Sequence, residues 1–426
     1  MKHTVYEHIL DNGASGLVVD VAGSAVVNIR VTFHSGFQFS DFVTYEVPHI
    51  MEHLLATVTQ RHSKPNAFMI EAQKNGAYVN ASTSSDNNEY LYEFAEFELD
   101  RIIDLIEEQV AEPLFSATAF EAEKSNVREE LTRNTTQHMS VVTIGLAQQA
   151  FPKLWLRYDE RIAQLDDISL EQLENHYLRT HTAANARFYV AGSFPDGGTA
   201  VAARFEQIFG RLPVGTRLPL RREIGQGAAE PIVIHRDIDQ LYYRTGIYFG
   251  ELSEHNRGTL SLLRMLMVGG MGSRVLGEAR RRGLAYSVGA VGYSEPGNGS
   301  FGFAGYVTPA HAEDLFKVIT NSMGAVSNGE VTSTELKAAQ DLLAGSITRS
   351  TQTAGDILQW YIDRYDDEGE IRHFGESLEK LRTVTVNDIT KLSSMIMNAQ
   401  PRGVSLLGRL SDKQVRDYSA IIHPQT

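Results

Sequence analysis

Hydrophobic and polar residues alternate in short stretches of the chain and recur at helical spacing in longer ones. The segment RVTFHSG at 30–36 alternates and ends in glycine, which is typical of a strand with one buried face. The segment FELDRIIDLIEEQV at 97–110 places apolar residues three and four apart, which predicts an amphipathic helix. Hairpin-like strands beside such helices favour an α+β fold, with an antiparallel sheet packed with helices, over a parallel βαβ sheet.

This pattern occurs twice. Four pairs of segments match at a nearly constant offset: RVTFHSG at 30–36 with RTGIYFG at 244–250, REELTR at 128–133 with GSITR at 345–349, ISLEQLENHYL at 168–178 with VTVNDITKLSS at 384–394, and RFYVAG at 187–192 with VSLLGR at 404–409. A repeat of this length predicts two homologous layered domains of about 200 residues each. The segment at 210–227 is rich in Pro, Gly and Arg and lacks periodicity, so it is the predicted linker between domains at 1–209 and 228–426.

Composition narrows the chemistry. Of 426 residues 42% are hydrophobic, and the net charge of −14 argues against a nucleic-acid partner. The chain has no cysteine, so a transition-metal site must use His, Asp or Glu. The first residues, MKHTVYEHILDNG, do not resemble a signal or transit peptide, and no apolar run reaches the ~18–20 residues that cross a bilayer. We therefore expect a cytoplasmic protein without a membrane partner.

The sharpest local motif is HIMEH at 49–53. Residues four apart share a helix face, so His49 and His53 can reach one metal ion. Glu52 lies beside them, where a carboxylate can take a proton from water. This is the H-x-x-E-H arrangement of the inverzincins. The alternative is a polar helical turn whose histidines bind neighbouring groups.

Two histidines leave a catalytic zinc site one protein ligand short. The helical segment FEAEKSNVREELTR at 120–133 places Glu123 and Glu130 nearly two turns apart, so both lie on one face, whereas Glu129 points about 100° away. One of the pair can bind the metal and the other can orient a histidine. By itself a glutamate-rich helix is more often a solvated acidic face.

Together these motifs resemble peptidase family M16, which includes pitrilysin, insulin-degrading enzyme and the mitochondrial processing peptidase. In that family a ligand glutamate follows the H-x-x-E-H motif at a characteristic distance, and the interval from His53 to Glu130 matches it. The resemblance implies one zinc ion per chain, held by His49, His53 and Glu130. It makes Glu52 the general base, and Glu123 matches the glutamate that orients a ligand without touching the metal. The resemblance also covers the second domain. There the positions that correspond to the H-x-x-E-H motif fall in SLLRMLMVGG at 261–270, which has no pair of metal-ligating residues.

Two more segments match the family. GAYVNASTSSDNNEYLYEF at 76–94 is similar to its exposed edge strand, so the resemblance makes Asn80, Ala81 and Ser82 substrate-binding residues. HYLRTHTAANARFYVAG at 176–192 resembles the segment that closes the family's first domain. Bare backbone at a sheet edge can bind an extended peptide whatever its side chains are.

A further segment, SRVLGEARRRGLAYSVGA at 273–290, resembles the family's Arg/Tyr element, whose side chains hold substrate at the metal. Tyr286 matches its tyrosine. The position of the family's arginine is taken in this chain by Ala279, so the match leaves Arg280, Arg281 and Arg282 as candidates. Arg280 and Arg281 are assigned catalytic roles with Tyr286. A tyrosine buried in the core is the alternative.

We therefore expect a zinc-dependent endopeptidase acting on peptides or unfolded segments. Family members enclose substrate between two two-domain halves of a clamshell, and this chain matches one half. It is therefore expected to form a homodimer, or a heterodimer with a second M16-like chain. One alternative is a non-catalytic, peptide-binding or scaffold subunit of such a heterodimer. Another is a metal enzyme with a non-peptide substrate, since fold and motif do not name a substrate.

Overall fold

A computed structural model describes residues 2–228 and 230–422 of the chain. These residues form two compact units. The first contains residues 2–133, 158–221 and 350–371. The second contains residues 134–157, 222–228, 230–349 and 372–422.

The helices of the two units run in chain order as follows: α1 (Val47–Thr57), α2 (Ala67–Ala72), α3 (Leu99–Ala111), α4 (Ala117–Asn134), α5 (His138–Ala150), α6 (Tyr158–Gln164), α7 (Leu170–Thr180), α8 (Thr199–Gly210), α9 (Glu254–Val268), α10 (Leu276–Arg281), α11 (Pro309–Ser327), α12 (Ser333–Arg349), α13 (Ala354–Glu368), α14 (Phe374–Thr383), α15 (Val386–Asn398) and α16 (Asp412–Ile422). Within the described residues, none of them combines the length and the apolar character that a membrane crossing requires.

The sheet of the first unit has six strands: β1 (His3–Ile9), β2 (Ser15–Val21), β3 (Val26–His34), β4 (Tyr78–Thr83), β5 (Asn87–Ala95) and β6 (Ala186–Gly192). Their order is β1-β2-β6-β3-β5-β4, and the neighbours are antiparallel except for the parallel pair β2 and β6. The segment that contains Asn80 therefore forms an edge strand, as predicted. Its unpaired side is available to another extended chain.

The sheet of the second unit repeats this arrangement. Its strands are β7 (Ile232–His235), β8 (Leu241–Phe249), β9 (Val288–Glu295), β10 (Asn298–Val307) and β11 (Arg402–Gly408). Their order, β7-β11-β8-β10-β9, is that of β2-β6-β3-β5-β4, and the parallel pair recurs as β7 and β11. Two homologous α+β units built on mainly antiparallel sheets are thereby confirmed. In the described chain, β1 has no counterpart.

The compact units depart from the predicted boundaries at two helices. Helix α5 comes from the first half of the chain but packs on β8 and β11, whereas α13 comes from the second half and packs on β2, β3 and β6. The reason is apolar burial: α13 covers a face of the first sheet with Ile357, Leu358 and Tyr361. Each unit therefore takes one helix from the other half of the sequence.

The predicted linker at 210–227 is divided between the units as well. The backbone N–H groups of Ala183 and Ala184 donate to the carbonyls of Pro213 and Val214, which ties this stretch to the first unit. Beyond residue 221 the chain belongs to the second unit, where the N–H of Gln226 donates to the carbonyl of Ala150. Backbone hydrogen bonds therefore hold both ends of the segment.

Candidate metal centre

Helix α1 presents both histidines of the HIMEH motif from one face. It begins after Glu46, and Pro48 in its first turn occupies a position where the missing N–H costs nothing. The opposite face is held in the core by apolar side chains: Ile50, Met51, Leu54 and Leu55. His49 is buried and His53 is half-buried, with ring centroids 4.9 Å apart. Packing of the apolar face thus fixes where the two imidazoles point.

Helix α4 brings Glu130 to these imidazoles. Oε2 of Glu130 lies 3.7 Å from Nε2 of His49 and 3.7 Å from Nε2 of His53. In the part of the chain that the structure describes, this is the one group of three His, Asp or Glu side chains placed to hold a single ion, with ligand atoms within 4.8 Å of one another. Glu129, the neighbour in sequence, is exposed. The structure therefore brings together the three side chains expected to bind metal.

A carboxylate lies at the Nδ1 nitrogen of each of the two imidazoles. Nδ1 of His49 lies 3.0 Å from Oε2 of Glu46, and Nδ1 of His53 lies 3.2 Å from Oε2 of Glu123. An ionised carboxylate can only accept, so each Nδ1 carries the proton and each Nε2 is left as a metal ligand. Glu123 therefore lies where the resemblance implied.

The donor set fits zinc. Two imidazole nitrogens and one carboxylate oxygen are the ligands of a catalytic zinc site that keeps a fourth position open. Ligand atoms around a tetrahedral zinc ion are about 3.3 Å apart. The two 3.7 Å separations need only a small closing movement to reach that spacing.

The charge around the histidines also favours a cation. Burial by itself would lower the pKa of His49, but the carboxylates of Glu130 and Glu46 outweigh it and raise this pKa to about 9. Burial likewise opposes a charge on His53, yet Glu123 and Glu130 raise its pKa to about 10. The two imidazoles in turn hold the pKa of Glu130 well below its usual range. Positive charge at this position is therefore strongly stabilised.

Glu52 is held by a separate chain of hydrogen bonds. Thr83 Oγ1, at the end of edge strand β4, donates to Glu52 Oε2 at 2.8 Å. Asn88 Nδ2 donates to Thr83 Oγ1 at 2.6 Å, and Ser35 Oγ donates to Asn88 Oδ1 at 2.6 Å. Ser35 and Asn88 are fully buried, so this chain is anchored in the core. It fixes one carboxylate oxygen of Glu52 beside the ligands.

The predicted substrate-binding residues lie on the same strand. Asn80 and Ser82 are exposed, and Ala81 is half-buried. Strand β4 pairs with β5 through these residues, so its other side faces outward at the sheet edge. The residue that follows them is Thr83, the partner of Glu52. A peptide added to β4 would therefore lie next to Glu52.

The Arg/Tyr element lies in the second unit. Tyr286 is 77% exposed, which excludes the alternative of a buried core tyrosine. The guanidinium of Arg280 stacks on its ring at 4.2 Å and donates to its backbone carbonyl at 3.2 Å. Arg281 pairs with Glu278, and Arg282 pairs with Asp314. Arg280 is therefore the arginine that accompanies Tyr286.

Several residues around the site escape sequence reasoning: Glu46, Arg161, Thr83 and Asn88. Glu46 offered one signal, because it stands three positions before His49, a spacing that brings side chains together at a helix start. Arg161 belongs to a distant helix, α6, and follows no motif. Only the fold brings it to the site.

The chain is similar to two known family models. A model described as "Insulinase (Peptidase family M16)" matches residues 18–156, and one described as "Peptidase M16 inactive domain" matches residues 167–343. The two models together cover well over half of the chain. The first contains all three candidate ligands.

Relatives and solved structures agree with these matches. An "uncharacterized zinc protease" of Mycobacterium leprae is 25% identical over 380 residues, which are 86% of this chain and 83% of the relative. A protease from Helicobacter pylori has a similar structure, with a TM-score of 0.83 and 18% identity over 95% of this chain and all of that one. A structure described as a "peptidase M16 inactive domain", from Pseudomonas fluorescens, also has a TM-score of 0.83, at 17% identity over 96% of this chain and 98% of its own. At these identities the structural likenesses establish the fold alone.

Proposed function

The chain belongs to peptidase family M16, and from this membership and the geometry of the metal centre we propose that it is a zinc-dependent endopeptidase. The observation that carries the proposal is the position of Glu52: its charge acts on both His49 and His53, and Thr83 holds one of its oxygens. A structural metal site needs no free carboxylate next to its ligands, whereas hydrolysis needs a base there.

The side chains have distinct roles in this proposal. Zinc, when bound, supplies a Lewis acid that lowers the pKa of water and polarises the scissile carbonyl. Glu52 takes the proton from the attacking water and passes it to the leaving amine, acting first as base and then as acid. Thr83 holds one oxygen of this carboxylate and leaves the other for the proton. Glu46 and Glu123 keep the two histidines in the tautomer that binds metal.

The proposed substrate is an extended peptide or an unfolded segment. It would pair with the free side of β4 along Asn80, Ala81 and Ser82, and backbone hydrogen bonds would align it without selecting its side chains. Most backbone N–H and C=O groups of a folded protein are already paired within its own fold, so an extended or unfolded segment is the better match for the free side of β4. Tyr286, with Arg280 stacked on its ring, would donate to the substrate or to the developing oxyanion.

We further propose a two-fold dimer in which the partner's Tyr286 completes each site. The support is the distribution of parts along the sequence: the metal ligands lie in the first unit and the Arg/Tyr element lies in the second. The ring of Tyr286 is exposed and therefore available to another chain. A two-fold axis would create two equivalent sites. A heterodimer with another M16-like chain would use the same surfaces.

A non-catalytic subunit is the second candidate function. It is favoured by the "inactive domain" description of the model that matches residues 167–343 and of the Pseudomonas fluorescens structure. The residues that this model matches do not include the HIMEH motif, however. The motif and Glu130 are both present in this chain. Bound zinc together with Glu52-dependent hydrolysis would separate the two candidates.

The test is substitution of Glu52 by Gln. Glu52 is not one of the convergent ligands, so Glu52→Gln should keep the zinc content of the wild type while losing about 10²–10⁴-fold in turnover of quenched fluorescent peptides. Glu129→Gln, an exposed change elsewhere in the same unit, is the matched control and should keep both. A Glu52→Gln protein with near-normal turnover would remove Glu52 from the mechanism. A wild type that binds zinc but cleaves no peptide would favour the non-catalytic subunit.

A further inference from the structure

Glu46 carries a fully buried carboxylate at the start of α1. An aspartate at this position commonly caps the helix by accepting from its first N–H groups, but the longer side chain of Glu46 makes no such bond. Its Oε2 instead accepts from Nδ1 of the ligand His49 at 3.0 Å. The side chain therefore supports the metal centre and not the helix end.

The same carboxylate is paired with Arg161 of α6. Nη2 of Arg161 donates to Oε2 of Glu46 at 3.1 Å, and Nε donates to Oε1, so the pair is bidentate. Arg161 is itself 6% exposed. Such a pair, taken out of water, is retained only with good geometry, because desolvation of both charges is costly.

Aromatic rings fix the guanidinium of Arg161. Its centre lies 4.9 Å from the ring of Phe37, 5.4 Å from that of Tyr45 and 5.5 Å from that of Tyr158. Phe37 and Tyr45 are themselves stacked, with centroids 4.7 Å apart. Cation–π contacts on several sides leave the arginine little freedom. The position of Glu46, and through it the ring of His49, is thus set by groups outside the metal centre.

The two ligand histidines are supported differently. Glu123, behind His53, accepts from the uncharged Nδ2 of Asn126 at 2.9 Å. Glu46, behind His49, shares its charge with Arg161. A carboxylate without a cationic partner strengthens the electron donation of an imidazole to a metal. A carboxylate paired with a cation strengthens it less. The charge of Arg161 therefore makes the two ligands unequal.

We propose that Glu46 and Arg161 form a positioning pair for the metal ligand His49, which fixes the orientation of its ring and moderates its strength as a donor. This inference rests on the proposed zinc site, although not on the reaction performed there. Neither residue touches substrate. Their effect reaches the metal through His49 alone.

The test measures zinc affinity by competition with a chromophoric chelator, and the absorption spectrum of the cobalt-substituted protein. Glu46→Gln should lower zinc affinity by about 10–100-fold, as expected for loss of a group that orients a ligand. It should also shift the cobalt bands, because the donor strength of His49 changes. Glu46→Gln combined with Arg161→Gln removes both charges and restores charge balance. The double variant should regain thermal stability but not zinc affinity, since an amide accepts more weakly than a carboxylate.

Glu108→Gln is the matched control. Glu108 is as buried as Glu46, and its Oε1 contacts Nδ1 of His62 at 2.7 Å, but His62 is not among the candidate metal ligands. This variant should lose stability while keeping zinc affinity and cobalt bands. Zinc affinity that follows thermal stability across all three variants would overturn the proposal and make the pair merely structural. A wild type without measurable zinc affinity would instead contradict the proposed function.

Discussion

The two units share an architecture and differ in chemistry. Helices α4 and α12 occupy the same place in the repeat, yet Glu123 and Glu130 of α4 correspond to Ala339 and Ser346 of α12. The five shared strands keep their order in both sheets. A unit of this kind therefore keeps its architecture without the candidate ligands, and the candidate metal centre is an addition to a shared scaffold.

Their buried polar groups differ in the same way. The first unit buries four histidines, His34, His49, His176 and His181, whereas the described residues of the second unit bury none. Buried imidazoles are tolerated where hydrogen bonds satisfy them, as where Nε2 of His176 contacts the carbonyl oxygen of Ser35 at 3.0 Å. Buried imidazoles therefore distinguish the first unit from the described part of the second.

The largest effect should come from cutting the chain between its halves. A fragment of residues 1–209 lacks α13, which would expose the apolar face formed by Leu17, Val19 and Tyr189. Burying one such side chain contributes about 1.5–3 kcal/mol, so several together match the whole stability of a domain. The fragment should therefore aggregate, as judged by soluble yield.

Adding residues 350–371 through a flexible linker, with the segment 134–157 replaced by a short flexible link and the fragment extended to residue 221, should restore a soluble first unit with a cooperative thermal transition. The same linker carrying a scrambled helix should not. A fragment of residues 1–209 that is soluble and cooperative by itself would show that the exchanged helix contributes little.

A smaller effect is expected from changing the ligand helix. Glu130→Gln should lower zinc affinity by more than about a hundredfold, the upper end for groups that only support a ligand. Glu129→Gln should leave affinity unchanged, because that side chain is exposed. Ser346→Glu, the corresponding change in the second unit, should create no second site, since the residues at 261–270 offer no ligands. Equal zinc content in Glu130→Gln and Glu129→Gln would show that Glu130 is not the carboxylate ligand.

Lowering the pH should reduce the free energy of unfolding of the first unit by a few kcal/mol more than that of the second. Burial, together with the charge of Arg217, lowers the pKa of His34 to about 4, and burial lowers that of His176 to about 4. In the unfolded chain the pKa of a histidine is about 6.5, so as the pH falls the unfolded chain takes up protons before the folded one does. The stability that the neutral histidines provide above pH 6.5 is therefore lost as the pH falls through the folded pKa. His49 and His53 have raised pKa values and are already protonated in the metal-free folded state. They therefore add no loss of stability below pH 6.5.

Between pH 7 and pH 5 His34 and His176 should therefore each cost about 2 kcal/mol of stability. Burial also holds the pKa of His181 well below its usual range, so this third histidine adds to the loss. Hydrogen exchange followed by mass spectrometry, corrected for intrinsic rates, should show protection falling in the first unit and nearly constant in the second. At pH 5 carboxylates with ordinary pKa values are still largely ionised, so the histidines dominate the change. Burial raises the pKa of Glu89 and of Asp366 in the first unit, and proton uptake by these two acts in the opposite direction. Equal losses in both units would contradict this account.

The sequence predicted the features that recur or carry a motif. The repeat offset predicted two like sheets, and the family pattern predicted both the edge position of β4 and the meeting of Glu130 with the histidines. The exchange of α5 and α13 was not predictable, because an amphipathic pattern defines a buried face but not the sheet that it covers. Arg161 was missed because a buried ion pair across distant segments has no local signal.

The second unit has no candidate metal ligands of its own among its described residues, but it can still contribute to catalysis through Tyr286. In the proposed dimer the zinc residues of one chain act with the partner's Tyr286. Glu52→Gln and Tyr286→Phe should then each be weakly active alone. Mixing them and allowing subunits to exchange should restore up to about a quarter of wild-type activity, because random pairing makes half of the dimers mixed and each mixed dimer has one intact site of two.

Two differently tagged Glu52→Gln proteins are the control for this mixture. They should exchange subunits, as shown by capture of one tag with the other, and recover no activity. The exposure of Tyr286 makes the phenylalanine change unlike a core substitution, so thermal stability should stay at the wild-type value. If exchange occurs between the two different variants and activity does not return, then the site is built within one chain or Tyr286 takes no part in it. In the second of these cases the second unit would serve the first only as a scaffold, and the difference between the units would extend to catalysis itself.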